Sequence, residues 1–207
     1  MFDSNLIFEA AKLADQGPTG DPWLDALYKE NVPALWGKIL SDGTRDPSHD
    51  EPYYRFLYHL CRLRKPEVAM EVGVDRGVGS AHMASGNAPR LVIGVDIQPF
   101  SLPSQIAAHY SNYIYHIGDS VRSVPDLVSR HGIDGKIGVM FIDSSHHYVE
   151  TVQEWEAYLP LLAPDPILVY DDVTPSFDVL KFFEERAGKK LKFPNMHRGN
   201  CIGVILL

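Results

Sequence analysis

Beyond about residue 67 the chain alternates short apolar runs with turn residues and helical stretches. The runs are VAMEVG (68–73), LVIGVD (91–96), YIYHIG (113–118), IGVMFID (137–143) and ILVYDD (167–172). Near-continuous apolar strands separated by helices predict a parallel sheet covered on both faces, since each strand has to bury both of its sides. The clearest helix is YVETVQEWEAYLPLL (148–162), where Val149, Val152, Trp155, Leu159 and Leu162 recur at three- and four-residue spacing as an inward face. Another covers Ser176 to Arg186, with Phe177, Leu180 and Phe182 or Phe183 inward. The closing stretch KKLKFPNMHRGNCIGVILL gives two strand-like pieces about an Asn/Gly turn, which suits an antiparallel hairpin. The fold class is therefore α/β: a mostly parallel seven-stranded sheet, helices on both faces and a C-terminal antiparallel hairpin.

The first 66 residues lack strand-like runs and read as helices. Asp21-Pro22-Trp23 is an N-cap followed by proline at the first helical position. Leu24, Leu27, Leu35, Trp36 and Ile39 supply its apolar positions, and Pro33 is expected to break them into two segments. A further helix starts at Pro52, with Phe56, Leu57, Leu60 and Leu63 on one face. Between them, residues 41–52 form a polar, proline-containing loop. This divides the chain into a helical extension, 1–66, and an α/β domain, 67–207.

Length and charge narrow the reading. The 207 residues suit one α/β domain with a short extension, and 45% apolar with 22% charged residues is ordinary for a globular protein. No stretch approaches the roughly 20 apolar residues that span a bilayer. The N-terminus, MFDSNLIFEA, carries acids where a signal peptide carries bases, and two cysteines are too few for a disulfide framework. A soluble, cytoplasmic protein without a membrane partner is expected. The net charge of −8 weighs against nucleic acid, which needs a basic surface to displace phosphate counterions. The small basic clusters LRKPE (63–67) and KKLKF (189–193) read as solvated faces.

Candidate chemistry gathers where the apolar runs end. In EVGVDRGVGS (71–80) the spacing is ExGxxxGxG, with Glu71 inside the strand and Gly73 and Gly77 in the turn. Glycines let the backbone turn sharply and approach a ligand, and the following helix offers free N–H groups. Asp96 ends the next strand 23 residues beyond Gly73, an offset suited to holding ribose hydroxyls. In HIGDSV (116–121), Asp119 and Ser120 sit between a third strand and a helix. Asp143, Asp171 and Asp172 end two further strands. Converging carboxylates repel unless a proton or cation relieves them, and hard oxygen donors suit Mg²⁺, Ca²⁺ or Mn²⁺ rather than zinc. His146 and His147 share the loop after Asp143, and imidazole beside an acceptor hydroxyl is a natural proton acceptor near neutrality. Each feature alone also has a plainer reading as a tight turn, a helix cap or a solvated side chain.

In order, EVGVDRGVGS, VIGVDI, GDS, FIDSSHHY and LPLLAPDPILVYDDV resemble the class I methyltransferases, Rossmann-like in fold, over roughly residues 50–207. The segment FID-x-x-H-x-Y, then a helix, LPLL, a turn and Y-D-D, is similar to a branch of small-molecule O-methyltransferases. That branch includes the macrocin and mycinamicin sugar methyltransferases and the cephalosporin-hydroxylase-like proteins. The resemblance implies S-adenosylmethionine as cofactor, with Glu71, Gly73 and Gly77 bordering its methionine half, Asp96 its ribose, and Asp119-Ser120 its adenine edge. It also implies Mg²⁺ on Asp143, Asp171 and Asp172, and the offset of 28 between Asp143 and Asp171 resembles the catechol type. The chain departs from that type at His146, where a lysine base stands three residues after the first metal aspartate. It departs again at Ala163-Pro164-Asp165-Pro166, where the usual turn is Pro-Gly-Gly.

The expected activity is metal-assisted O-methylation of a small-molecule hydroxyl on a sugar or catechol-like diol, with His146 or Asp143 taking the proton. Two rivals remain. A short-chain dehydrogenase shares the GxxxGxG pattern, but none of the ten tyrosines has a lysine four residues later. A non-catalytic cofactor-binding protein could keep the fold alone. The N-terminal helices read as a cap on the site or as a dimer surface, so a homo-oligomer stays open.

Overall fold

A computed structural model describes residues 4–36, 39–44, 50–85, 88–175, 178–197 and 200–207. Helices α1 (Ser4–Ala14), α2 (Pro22–Trp36) and α3 (Pro52–Arg64) precede the first strand, β1 (Val68–Val72). Strands and helices then alternate: α4 (Val78–Ala84), β2 (Leu91–Asp96), α5 (Ser101–His109), β3 (Tyr113–Ile117), α6 (Ser120–His131), β4 (Ile137–Ile142) and α7 (Tyr148–Tyr158). The chain ends with β5 (Leu162–Tyr170), α8 (Val179–Glu185), β6 (Lys189–His197) and β7 (Asn200–Leu206).

The strands form one sheet in the order β3-β2-β1-β4-β5-β7-β6, parallel from β3 to β5 and antiparallel at β7. Every residue of β1 and β4 is buried, as their continuous apolar runs require. Alternate residues feed two cores. Ala69, Val92, Phe141 and Val169 meet Ile7, Ala10 and Ala14 of α1, Leu24 of α2, and Phe56, Leu57 and Leu60 of α3. Met70, Ile93, Met140 and Leu168 meet Val124 and Leu127 of α6, Tyr158 of α7, and Phe182 and Phe183 of α8. The N-terminal helices thus share a core with one sheet face. The order reverses between β1 and β4, and in such sheets this is where a crevice opens at the carboxyl ends.

Four local expectations change. Helix α2 runs through Pro33 without breaking; the carbonyl that Pro33 cannot pair belongs to Lys29, an exposed residue open to water. Strand β5 starts at Leu162, not after Pro166: Leu162 pairs with Ile137 and Ile167 with Val139, so Ala163–Pro166 bulge out between them. Leu63 on α3 is 40% exposed, and Ile39, beyond the end of α2, is 62% exposed. On α7 the buried residues are Thr151, Glu154 and Tyr158, while Val149 and Leu159 face outward and Val152 and Trp155 are only partly covered. The reason lies in the cleft that α7 closes, described below. Phe177, the turn of the C-terminal hairpin, and the side chains of Leu35 and Trp36 lie outside the described residues. Among the described residues no helix is long and apolar enough to cross a membrane.

Candidate active site

The ends of β1, β2 and β4 meet at Gly73. Its N–H donates to the Val95 carbonyl at 3.0 Å, and the Asp143 N–H donates to the Val72 carbonyl at 2.8 Å. The chain then turns tightly, with the Gly77 N–H on the Val74 carbonyl at 2.7 Å, and Gly77 precedes the first turn of α4. Asp96 ties the neighbouring loops together: one oxygen accepts from the Asp75 N–H at 2.9 Å and the other from the Gln98 N–H at 2.8 Å.

These loops enclose a cleft of about 560 Å³ at the switch in strand order. Gly73, Asp96, Asp119, Ser120 and Asp143 all line it; Glu71, Gly77, His146, Asp171 and Asp172 do not. Asp75, Asp96, Asp119, Asp143, Glu150 and Glu154 contribute carboxyl groups, and among the described residues no Lys, Arg or His lines the walls. Asp119 is also the N-cap of α6, accepting from the Arg122 N–H at 3.0 Å.

The sequence gives no direct sign of Glu154. It is 3% exposed and accepts from the hydroxyls of Ser120 and Ser144, each at 2.7 Å. Burial raises its pKa, and the two serines pull it back. The polar stripe Thr151, Glu154, Tyr158, at helical spacing, is the signal that would have revealed it. It turns inward because the sheet edge it covers is itself polar, which reverses the apolar face that spacing alone suggests.

Glu71 sits behind the turn. Its carboxyl accepts from the Ser80 hydroxyl and the Ser80 N–H in the first turn of α4. A Cβ on Gly79 would come within 2.1 Å of its Oε1, so only glycine leaves it this space. Burial pushes the Glu71 pKa up to about 8 from 4.5. Between those values the unfolded chain has ionised Glu71 and the folded chain has not, so this group's contribution to stability falls as pH rises from 4.5 toward 8. Glu71→Gln keeps an acceptor for Ser80, and its urea midpoint is expected to fall less than wild type's over that range. Equal slopes for the two proteins would show that Glu71 is already ionised in the fold.

A second acidic cluster stands at the ends of β4 and β5. The Asp171 N–H donates to the Ile142 carbonyl at 3.1 Å and the Val173 N–H to the Cys201 carbonyl at 2.8 Å, which pins both aspartates between β4 and β7. Asp172 has φ +52°, a left-handed backbone uncommon outside glycine. His146 Nε2 lies 3.7 Å from Asp172 Oδ2 and 4.0 Å from Asp143 Oδ1. Burial and the Asp171 carboxyl hydrogen-bonded against it raise the Asp143 pKa well above the usual carboxylate range. Such a pair holds either a shared proton or a hard cation. Among the described residues no three His, Cys, Asp or Glu side chains are arranged to hold a metal ion. The oxygen donors suit Mg²⁺ chemically; the ligand cage is not assembled.

Tyr53, in the first turn of α3, reaches the same edge and was not evident from the sequence. It is 2% exposed, with its ring 5.8 Å from Phe141. Burial and the neighbouring Tyr54, Asp143 and Asp171 hold its hydroxyl far from ionising. His147, by contrast, is exposed and immediately precedes α7.

Strand order, glycine turn and an acidic cleft at the switch point together define a class I, S-adenosylmethionine-dependent methyltransferase. The chain belongs to the methyltransferase-domain family, which matches residues 70–173. In fold it is similar to the O-methyltransferase TomG from Streptomyces achromogenes, involved in tomaymycin synthesis and solved with S-adenosylmethionine. The TM-score is 0.66 at 16% identity, covering 100% of this chain and 99% of that one. It is similar also to an O-methyltransferase from Bacillus cereus solved with S-adenosylhomocysteine, with TM-score 0.63, 14% identity and 99% of each chain covered. No curated protein sequence matches the chain.

Proposed function

We propose that the chain transfers a methyl group from S-adenosylmethionine to a hydroxyl of a small molecule carrying a vicinal diol, a sugar or a catechol. The observation that carries the cofactor is the cleft wall, which among the described residues has six acidic side chains and no cationic one. Such a wall repels the pyrophosphate of a dinucleotide and suits a phosphate-free nucleoside bearing a sulfonium and an ammonium. The two solved relatives named above, both O-methyltransferases, support an oxygen acceptor.

Bound in the cleft, S-adenosylmethionine supplies an electrophilic methyl group displaced in line from sulfur. In our reading Gly73 lets the backbone approach its methionine half, Asp96 accepts from the ribose hydroxyls, and Ser120 meets the adenine edge. Glu71 and Gly77 act one step back, through the turn and α4. His146 takes the acceptor's proton at Nε2, and Asp172 and Asp143 stabilise the resulting imidazolium. If the reaction uses Mg²⁺, Asp143, Asp171 and Asp172 are the oxygen donors that would have to close on it, and the ion would supply a lowered pKa for a bound hydroxyl.

Calorimetry separates the cofactor classes: S-adenosylhomocysteine should bind and NAD should not, and tight NAD binding would overturn the reading. Asp96→Ala should weaken S-adenosylhomocysteine by about 1.5–3 kcal/mol, the worth of hydrogen bonds to a charged group. Because Asp96 also holds two loop N–H groups, Asp96→Asn is the control. It keeps one acceptor oxygen and should lose less. EDTA should abolish turnover, and added Mg²⁺ should restore it, with cofactor binding retained throughout. Full turnover in EDTA would remove the cation from the mechanism and leave the Asp143–Asp171 pair with its shared proton.

A further inference from the structure

Glu154 joins two loops that the sheet holds apart. Ser120 opens α6 after β3, Ser144 follows β4, and β1 and β2 lie between those two strands. Both hydroxyls nevertheless donate to one carboxyl group: Ser120 to Glu154 Oε1 at 2.7 Å, and Ser144 to Oε1 and Oε2, each at 2.7 Å. All three residues line the cofactor cleft, Glu154 almost wholly covered and the two serines half-buried. The chemistry proposed above gives Glu154 and Ser144 no part.

A hydroxyl has one proton and two acceptor positions, and an ionised carboxyl has no proton to return. With both serine protons committed to Glu154, any contact that either hydroxyl makes with a ligand is made as an acceptor. Their placement also restricts the donor. A single atom, Oε1, spans the two serine oxygens at 2.7 Å from each. A nitrogen on the cleft side can span them in the same way, since an N–H···O bond is nearly as short, about 2.9 Å. A primary amino group, with two N–H bonds, is the group that donates to both at once. Val121, next in sequence to Ser120, also lines the cleft and offers apolar surface to a ring carrying that group.

Resting on the reading that Ser120 meets the adenine edge, we propose that Glu154 is a positioning residue that makes the cleft selective for a 6-aminopurine. By taking the protons of Ser120 and Ser144 it leaves both hydroxyls as acceptors for the amino group. A 6-oxopurine brings a carbonyl oxygen to that position, lone pair against lone pairs, and the polar groups on both sides go unpaired. The overall charge of the wall plays no part in this choice, because both bases are neutral.

Calorimetry on the full-length chain compares S-adenosylhomocysteine with S-inosylhomocysteine, which differs only at the purine edge. Wild type should bind the inosine compound about tenfold to hundredfold more weakly. Glu154→Gln sets an amide NH₂ against the serines, so one hydroxyl has to accept from it and turns its own proton to the cleft. The preference should then fall to about threefold or less. The inosine compound should also bind the variant more tightly than wild type, a gain that damage to the fold cannot produce. Should Glu154→Gln fail to fold, Ser144→Ala decides: it removes one acceptor, so S-adenosylhomocysteine should weaken about tenfold and the inosine compound should not change. Equal affinities in wild type would overturn the proposal, because the hydroxyls then do not meet the base. So would an unaltered preference in Glu154→Gln, which would mean that Glu154 already carries a proton or that the neighbouring Asp119 takes the amino group. If S-adenosylhomocysteine does not bind wild type at all, the cofactor reading itself falls, and this inference with it.

Discussion

In the His146→Ala variant, kcat is expected to fall by roughly 10²–10⁴, the usual worth of a positioned general base, with cofactor affinity unchanged. The expectation rests on where the ring stands. Asp143, which lines the cofactor cleft, lies 4.0 Å from His146 Nε2, while Asp172 faces the same nitrogen at 3.7 Å. The ring is about one-third exposed, so an acceptor hydroxyl has access to it. Asp172 holds a left-handed backbone to face it, and such outliers gather at functional sites because surrounding contacts must maintain them. Single-turnover kinetics at saturating acceptor would read the chemical step directly. His147→Ala is the matched control: that residue is exposed, its N–H donates to the Ser145 hydroxyl at 3.2 Å, and its loss should be tolerated. If the two alanine variants behave alike, Asp143 becomes the better proton acceptor. Asp172→Asn should fall between wild type and His146→Ala, since it removes the charge facing the imidazolium but not the base.

The sheet was legible because burial on both sides imposes apolar residues along its central strands β1 and β4, as a covered parallel sheet requires. The carboxyl-edge residues were legible for a related reason. Asp96, Asp119 and Asp143 are polar interruptions at the ends of such runs, and all three line one cleft. What the pattern hid depends on contacts distant in sequence. Glu154 meets Ser120 across 34 residues, and only its place in the stripe Thr151, Glu154, Tyr158 sets it apart from a solvated glutamate on α7. Tyr53 reaches the Asp143–Asp171 edge from the extension, some 90 residues away along the chain. Glu71 illustrates the opposite limit. Its position in the motif is plain, but whether its carboxyl faces a ligand or the α4 N-terminus depends on a side-chain direction that spacing does not encode. The Pro33 and Pro166 expectations failed because proline constrains its own residue and neighbour, while water or a bulge can absorb the missing N–H.

Gly73→Ala should destabilise the fold by roughly 2–5 kcal/mol, combining the left-handed backbone penalty with overpacking against a part that cannot rotate away. At φ +83° any side chain is strained, and a Cβ there would lie 2.0 Å from the Asp143 carbonyl oxygen and 2.4 Å from its carbonyl carbon. Both are backbone atoms, so relief requires the ends of β1 and β4 to separate. Gly77 provides the internal comparison. Its φ of +79° carries nearly the same conformational penalty, but the nearest atom to its Cβ would be Ile106 Cδ1 at 2.9 Å, the tip of a flexible side chain. Gly77→Ala should therefore cost only about 1–2 kcal/mol, the conformational part alone. Urea midpoints of the two variants measure the difference between them. The cleft should respond in the same order. Separating β1 from β4 shifts Asp143 and Ser144 together, so Gly73→Ala should also weaken S-adenosylhomocysteine binding under conditions where it remains folded, and Gly77→Ala should weaken it less. Equal costs at the two glycines would mean that backbone conformation alone, and not the close approach of β1 to β4, selects glycine at position 73.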